Sequence, residues 1–343
     1  MKSHLRALVL VHEDLVPPDS IEGLSEKEIQ PWKTEYHVVE TLRKLGHEVQ
    51  ILGVSDALLP IRSTVEGWGP DVVFNMLVEF RDVAAYQVHV VSYLEVLQVR
   101  YTGCNSRGIL LARDKALAKQ IFRYHRIPTP AFAVARLGRT PRLPRGLKFP
   151  LIVKSVEEEA SLGLSQASVV RDPEQLAGRV EFVHRHVVTD AIVEEYVEGR
   201  ELTIGVLGNE RLRTFPVWEM FFEKLPEGSL PIATARVKWD LAYQRRVGIR
   251  TGPARRLPEG LPERIERTAK RVYRCLGLSG YARVDLRLTP GGEISVIEAN
   301  AVPDLAEDED YAMSAVAAGI EYGSLIQRIV NLGMRYRSPW ETS

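Results

Sequence analysis

The stretch "GEISVIEANAVPDL", residues 292–305, decides how this chain is read. Its apolar start, Ile294 and Val296, predicts a strand, and Glu298 and Asn300 continue the same alternation. At a period of two, these four side chains share one face, so a part-buried face ends in a carboxylate and an amide. The preceding run "YARVDLRL", 281–288, alternates as cleanly, with Tyr281, Arg283, Asp285 and Arg287 on one side. "TPGGE" joins the two runs and carries the Gly291-Gly292 pair of a tight hairpin. With that pair at the turn centre, Asp285 falls opposite Glu298 and Arg283 opposite Asn300.

Like charges directly opposed in a ladder destabilise it. Two close carboxylates force a proton onto one of them unless a cation lies between. A divalent ion would remove the conflict. Two carboxylates and an amide carbonyl are hard oxygen donors, so Asp285, Glu298 and Asn300 suit Mg²⁺, with Mn²⁺ also compatible, completed by phosphate oxygens and water. Arg283 beside them suits an oxyanion. The competing reading pairs Arg283 with Asp285 or Glu298 on a solvated sheet face. Ile294 and Val296, read as sharing the face of Glu298, favour the metal.

A site for a metal and phosphates needs cations facing it. No P-loop is present. Lys154 lies inside the apolar strand "FPLIVKS", where packing gives no reason for a lysine. Lys115 opens the helix after "RDK", where a solvated lysine is an equal reading. "ASLGLSQ", 160–166, is a small-residue loop that would lie over phosphates, with Ser161 and Gly163 in it. In "AIVEEYVEG", Glu194 and Glu195 end a strand, and the connector after them offers backbone groups to a purine. Glu201 follows within reach of a ribose hydroxyl, a solvated acidic turn being the alternative.

The rest of the chain sets the frame. Its 343 residues allow two or three units with a sizeable core. Lys plus Arg and Asp plus Glu both total 45, which argues against a general nucleic-acid binder. The two cysteines, Cys104 and Cys275, have no metal spacing and suggest no disulfide framework. The N-terminal apolar run is too short for a signal core or a membrane span, so a cytoplasmic protein is expected.

Residues 5–11, 48–54 and 71–77 read as buried parallel strands, with helices over 34–45 and 83–97 and a short strand at "VRYTG". Gly46 suits a helix C-terminal cap. This alternation implies an open parallel α/β sheet without a dinucleotide fingerprint. Helix and strand follow over 113–134, strands over 149–155 and 191–208, and a helix over 262–276. Residues 223–258, rich in Pro, Gly and Arg, read as an irregular lid, and 313–332 as one last helix.

Taken in order, these pieces resemble the ATP-grasp superfamily, and within it the D-alanine–D-alanine ligase-like family. The carrying residues are "YTGCNSRGILLARDKALAKQIFRYHRIPTP", "FPLIVKS", "SLG", "IVEEYVEGRELTIGV", "GYARVDLRL", "ISVIEANAVPDL" and "AAGIEYGSLIQRIV". The resemblance implies an N-terminal open parallel α/β domain, 1–112, then two α+β ATP-grasp subdomains, 113–207 and 208–343. It implies that Lys115 and Lys154 hold ATP phosphates. Glu194, Glu195 and Val197 would form the adenine connector, and Glu201 would bind ribose. Asp285, Glu298 and Asn300 would be the metal ligands. Arg283 would stabilise a tetrahedral intermediate, and Lys238 would be the lid lysine. The implied reaction joins a small carboxylate to an amine through an acyl phosphate. A homodimer is the assembly that relatives commonly form.

Departures cluster in the substrate half. The family's glycine-rich start reads "VHEDLVPPDSIEG" here, and its HG…GEDG run reads "FNMLVEFRDVAAYQ". Glu159 and Ala160 stand in the phosphate loop where Gly and Ser are usual. After Asn300 comes "AVPDLAEDEDYAMSA", whose acids at 307–310 would repel an acceptor carboxylate or else favour a helix N-terminus. Three functions remain open: a ligase with other substrates, a D-alanine–D-alanine ligase of peptidoglycan synthesis, and a nucleotide-binding sensor or partner subunit without catalysis.

Overall fold

The computed structural model describes residues 4–139, 146–157 and 163–338, arranged around three sheets. The first is parallel, in the order β2-β1-β3, with β1 at Arg6–His12, β2 at Glu48–Val54 and β3 at Val72–Asn75. Alternation sends Ala7, Val9 and Val11 into one core cluster and Leu8 and Leu10 into another, so both faces of the central strand are covered. Helix Lys33–Lys44 covers one face with Val38, Val39 and Leu42, each worth roughly 1.5–3 kcal/mol when fully buried. Its chain reverses at Gly46, whose φ of +83° is the left-handed cap that glycine adopts without strain. The expected strand at "VRYTG" reduces to one parallel bridge, Val73 to Tyr101.

The second sheet is antiparallel, in the order β4-β7-β5-β6: β4 at Phe132–Ala135, β5 at Leu151–Ser155, β6 at Val169–Val170 and β7 at Ala191–Glu195. The third has six antiparallel strands: β8 at Arg200–Leu207, β9 at Arg213–Thr214, β10 at Trp218–Phe222, β11 at Ile249–Pro253, β12 at Tyr281–Leu288 and β13 at Ile294–Asn300. Its order is β11-β10-β8-β12-β13, with β9 on β8. Strand β8, grouped above with residues 113–207, therefore hydrogen-bonds into the C-terminal sheet. Helix Leu261–Cys275 packs Ile265, Ala269 and Val272 into the same core as Val284, Leu286 and Val296.

Two expectations on chain regularity fail. Residues 223–258 are not irregular throughout: they hold helices Ala235–Trp239 and Leu241–Val247 as well as β11. Thr234 and Asp240 cap these helices by accepting backbone N–H groups at 3.3 and 2.8 Å, a local device that leaves no periodic trace. The last helix is two, Asp310–Ala317 and Tyr322–Arg335, broken where Gly319 turns left-handed at φ +76°. Among the described residues, no helix is long and apolar enough to cross a membrane.

Candidate active site

A cleft opens between the second and third sheets. Lys154 and Glu194 line it from one sheet, Glu201, Asp285 and Glu298 from the other, and Lys115 from the helix Lys115–Tyr124. The connector Glu195–Val197 forms one end, and Lys238 with Ile232 enters from the lid segment. Residues distant in sequence are thus brought together as expected. Gly163, Arg283 and Asn300 are not on the lining itself, and Ser161 lies outside the described residues, as do Glu159 and Ala160.

The hairpin register holds at the site but not beside the turn. Asp285 pairs with Glu298 and Arg283 with Asn300, whereas Leu286 pairs with Val296. Ile297 is therefore an extra residue, a β-bulge. The bulge corrects one expectation. Ile294 and Val296 are buried in the core together with Ala299, while Glu298 and Asn300 point to the opposite, cleft-facing side. A regular strand would have kept Val296 and Glu298 together. One added residue reverses the facing, and that is why the carboxylate reaches the cleft.

The charge balance corrects a second expectation. No metal is needed to make the two carboxylates tolerable. Arg283 grips Asp285 with two hydrogen bonds, Nε to Oδ1 at 2.7 Å and a terminal nitrogen to Oδ2 at 2.8 Å. The pairing proposed for a solvated face is thus present, yet the side chains are only 17% and 16% exposed. Lys115, 8% exposed, stands 3.8 Å from Glu298. Burial pushes the Glu298 carboxyl up, but Lys115, Lys154, Lys238 and Arg283 together outweigh it and hold the group down at about 2. The arginine is itself raised above its ordinary value: burial opposes this, and the Asp285 charge overcomes it. Asn300 accepts the Val302 N–H at 2.9 Å, which fixes its amide beside the pair.

Glu194 departs from its expected place in the connector. Its carboxylate is 1% exposed and lies between two lysines, Lys119 at 3.3 Å and Lys154 at 3.3 Å. Lys119 is the residue that sequence reasoning missed. It is fully buried and donates to Thr129 Oγ1 at 3.1 Å and to the carbonyl of the bulged Ile297 at 2.8 Å. Burial lowers its pKa to about 8 against the pull of Glu194, whose own value is lowered by both lysines despite burial. A signal existed: Lys119 follows Lys115 by four positions and shares its helix face. This one ammonium ties the helix, the second sheet and the bulge of the third together.

The connector is anchored from both sides. Tyr196 donates its N–H to the Pro150 carbonyl at 3.0 Å. Arg287, on the cleft side of β12, donates to Glu201 at 3.0 Å and to the Gly199 carbonyl at 2.9 Å. Its guanidinium lies 5.8 Å from the Tyr196 ring centre. Ile152, Val169 and Ile232 form a small apolar cluster with Leu164 and Tyr196 packed on it, giving the cleft a dry wall beside its charged one. Gln166 holds the lid segment through two hydrogen bonds to the Leu230 backbone, at 2.9 and 3.0 Å. Gly163, left-handed at φ +70°, gives its carbonyl to Arg179.

The chain is similar to known proteins in sequence and in fold. The family described as D-ala D-ala ligase C-terminus matches residues 123–331. An uncharacterised protein, y4sG, of Sinorhizobium fredii is 32% identical over 317 residues, covering 89% of this chain and 90% of that protein. A D-alanine–D-alanine ligase of Oleidesulfovibrio alaskensis is also 32% identical, covering 85% and 88%. The fold matches the crystal structure of the Bacillus anthracis D-alanine–D-alanine ligase complexed with ATP, at TM-score 0.73 and 22% identity over 96% of this chain and 98% of that one. The chain therefore belongs to the D-alanine–D-alanine ligase-like family of ATP-grasp enzymes, which join a carboxylate to an amine with ATP and a divalent metal ion.

Proposed function

We propose that the cleft binds MgATP and that the enzyme activates a small carboxylate for attack by an amine. One observation carries this reading: Lys115, Lys154 and Lys238, from three separate elements, line one cleft with Glu298 and Asp285, which stand opposite each other. Three ammonium groups converging from separate elements beside a pair of carboxylates suit a polyphosphate with its metal. Lys115 and Lys154 are assigned to the phosphates of ATP. The connector from Glu195 to Val197, with the apolar wall of Ile152 and Ile232, is assigned to the purine, and Glu201 to the ribose. Glu194 is assigned a positioning role, holding Lys154 and Lys119 in place. Ser161 and Gly163 are assigned to the loop over the phosphates.

The donors present fit a hard divalent cation: Glu298 is held ionised, Asp285 lies across the ladder from it, and the Asn300 carbonyl is fixed beside them. When bound, Mg²⁺ would neutralise charge that develops on the transferred phosphoryl group. In our reading the substrate carboxylate attacks the γ-phosphorus of ATP and releases ADP. The acyl phosphate formed is then attacked by the amine, and inorganic phosphate leaves. Arg283 is placed to stabilise the oxyanion of that second step, and Lys238 to follow the transferred phosphoryl group. Such steps depend on positioning and charge neutralisation more than on a protein nucleophile.

We also propose an acceptor amine that carries no free carboxylate. Asp308 and Glu309 at the start of helix Asp310–Ala317 pair with Lys33 at 3.0 and 3.6 Å, and Asp310 contributes to the raised pKa of Arg283. Asp310 therefore reaches the neighbourhood of the proposed oxyanion site. Phosphate release measured with ATP, Mg²⁺ and paired acids and amines tests both parts, with Glu298→Gln as the inactive control. Turnover best with D-alanine as acceptor would end the second proposal. Absence of nucleotide binding by calorimetry would end the first.

A further inference from the structure

A second cluster of donors, none of them on the lining of this cleft, lies at the C-terminal edge of the parallel sheet. In open α/β sheets that edge is where ligands bind. His12 ends β1, and Glu79 and Asp82 follow β3. One ring nitrogen of His12 and one carboxylate oxygen each of Glu79 and Asp82 lie within 4.8 Å of one another.

His12 carries the decisive observation. It is 5% exposed, and its Nε2 is buried without any hydrogen-bond partner. Burying an unsatisfied imidazole nitrogen costs about 1–3 kcal/mol, so a structure retains one for a reason. The other ring nitrogen, Nδ1, faces Asp14: it accepts the Asp14 N–H at 3.3 Å and lies 3.7 Å from the Asp14 carboxylate. Neither Glu79 nor Asp82 forms a hydrogen bond or ion pair with another described residue.

The carriers of the carboxylates are held firmly. Arg81 and Asp82 are both left-handed, at φ +55° and +58°, and form the centre of a tight turn closed by the Phe80–Val83 bridge. The Arg81 N–H donates to the Ser55 carbonyl at 2.7 Å, which ties this turn to the end of β2. All three strands of the sheet thus contribute to one corner.

We propose that His12, Glu79 and Asp82 form a binding site for a divalent transition-metal ion. One imidazole and two carboxylates suit zinc-like ions better than magnesium or calcium, which prefer oxygen alone. Ligand atoms around such an ion sit about 3–3.5 Å apart, so the side chains close by about 1–2 Å on binding. With the metal on Nε2 the ring carries its proton on Nδ1, which then donates to the Asp14 carboxylate instead of accepting the Asp14 N–H, the arrangement that orients metal-bound histidines. Three protein donors leave a coordination position open to water or a small ligand.

The test is titration of chelator-stripped full-length protein with Co²⁺ or Zn²⁺ in the absence of nucleotide. One equivalent is expected to bind, with visible absorption bands for Co²⁺. Binding persists in Asp285→Asn/Glu298→Gln and weakens roughly tenfold or more in Glu79→Gln and in Asp82→Asn. Asp14→Asn weakens it by a smaller but measurable factor. His12→Gln removes the nitrogen ligand seen by X-ray absorption. The proposal is overturned by no binding, or by binding of equal affinity in Glu79→Gln and Asp82→Asn. Both carboxylates lie at the surface side of the cluster, so these variants are informative even if His12→Gln fails to fold.

Discussion

Asp285 stands directly opposite Glu298 in the last hairpin, and it does so on the cleft face because Ile297 is bulged out of register. The bulge is held by contacts from outside the hairpin. Lys119 takes the Ile297 carbonyl, Thr129 takes the Val296 carbonyl at 2.8 Å, and the Val296 N–H goes to the Pro128 carbonyl at 2.8 Å. The alignment of the two carboxylates is therefore a property of the tertiary structure and not of the hairpin alone.

Glu298→Gln keeps the shape of the side chain and removes its charge. Ligase turnover is expected to fall at least about a hundredfold, the scale of losing one charge-stabilising group in a closed site. Steady-state phosphate release with any active substrate pair checks this. Wild-type rates in the variant would remove Glu298 from the reaction.

Lys119→Met leaves the Glu194 carboxylate with one lysine where it had two. A buried charge left with no partner costs about 3–5 kcal/mol, and because Lys154 remains the loss is expected to fall below that range. The double variant Lys119→Met/Glu194→Met removes both members and is expected to be less destabilised than the single one. Urea unfolding of the set measures the coupling. Equal losses in the single and double variants would mean that the pair is not coupled.

Glu35 is 6% exposed, and burial with the Asp304 charge raises its pKa from 4.5 to about 7. The native protein thus holds this proton more tightly than the unfolded chain does. Its contribution to stability is full below the unfolded value of 4.5 and is lost as pH rises towards 7. Glu309 is raised to about 7 in the same way, by burial first and then by Asp304. Glu35→Gln is expected to stabilise the protein by roughly 1–3 kcal/mol near pH 8 and to change little near pH 4. The same difference at both pH values, from urea unfolding, would rule this out.

Gly199 sits in the connector at φ +141°, and a Cβ there would lie 2.0 Å from the Leu288 carbonyl oxygen. Backbone cannot yield as a side chain tip does. Gly199→Ala is expected to destabilise the protein by about 3 kcal/mol or more and to disturb the Arg287–Glu201 contact. Thermal unfolding checks the first effect. A variant as stable as wild type would show that the connector relaxes freely.

The sequence by itself determined the order of the elements and the chemistry they carry. Period-two alternation gave both strands of the hairpin, β-branched apolar runs gave the parallel sheet, and Lys154 stood out as a charge in an apolar strand. These signals are local, written within one element's length. Tertiary structure alone decided the rest. The bulge at Ile297 depends on Lys119 and Thr129, which lie far back in the chain. Pairing of Glu194 with Lys119 and Lys154 needs a helix laid across two strands. The corner of His12, Glu79 and Asp82 exists only once parallel strands bring their ends together. No pattern in a linear chain marks such meetings, because they are set by how separate elements pack.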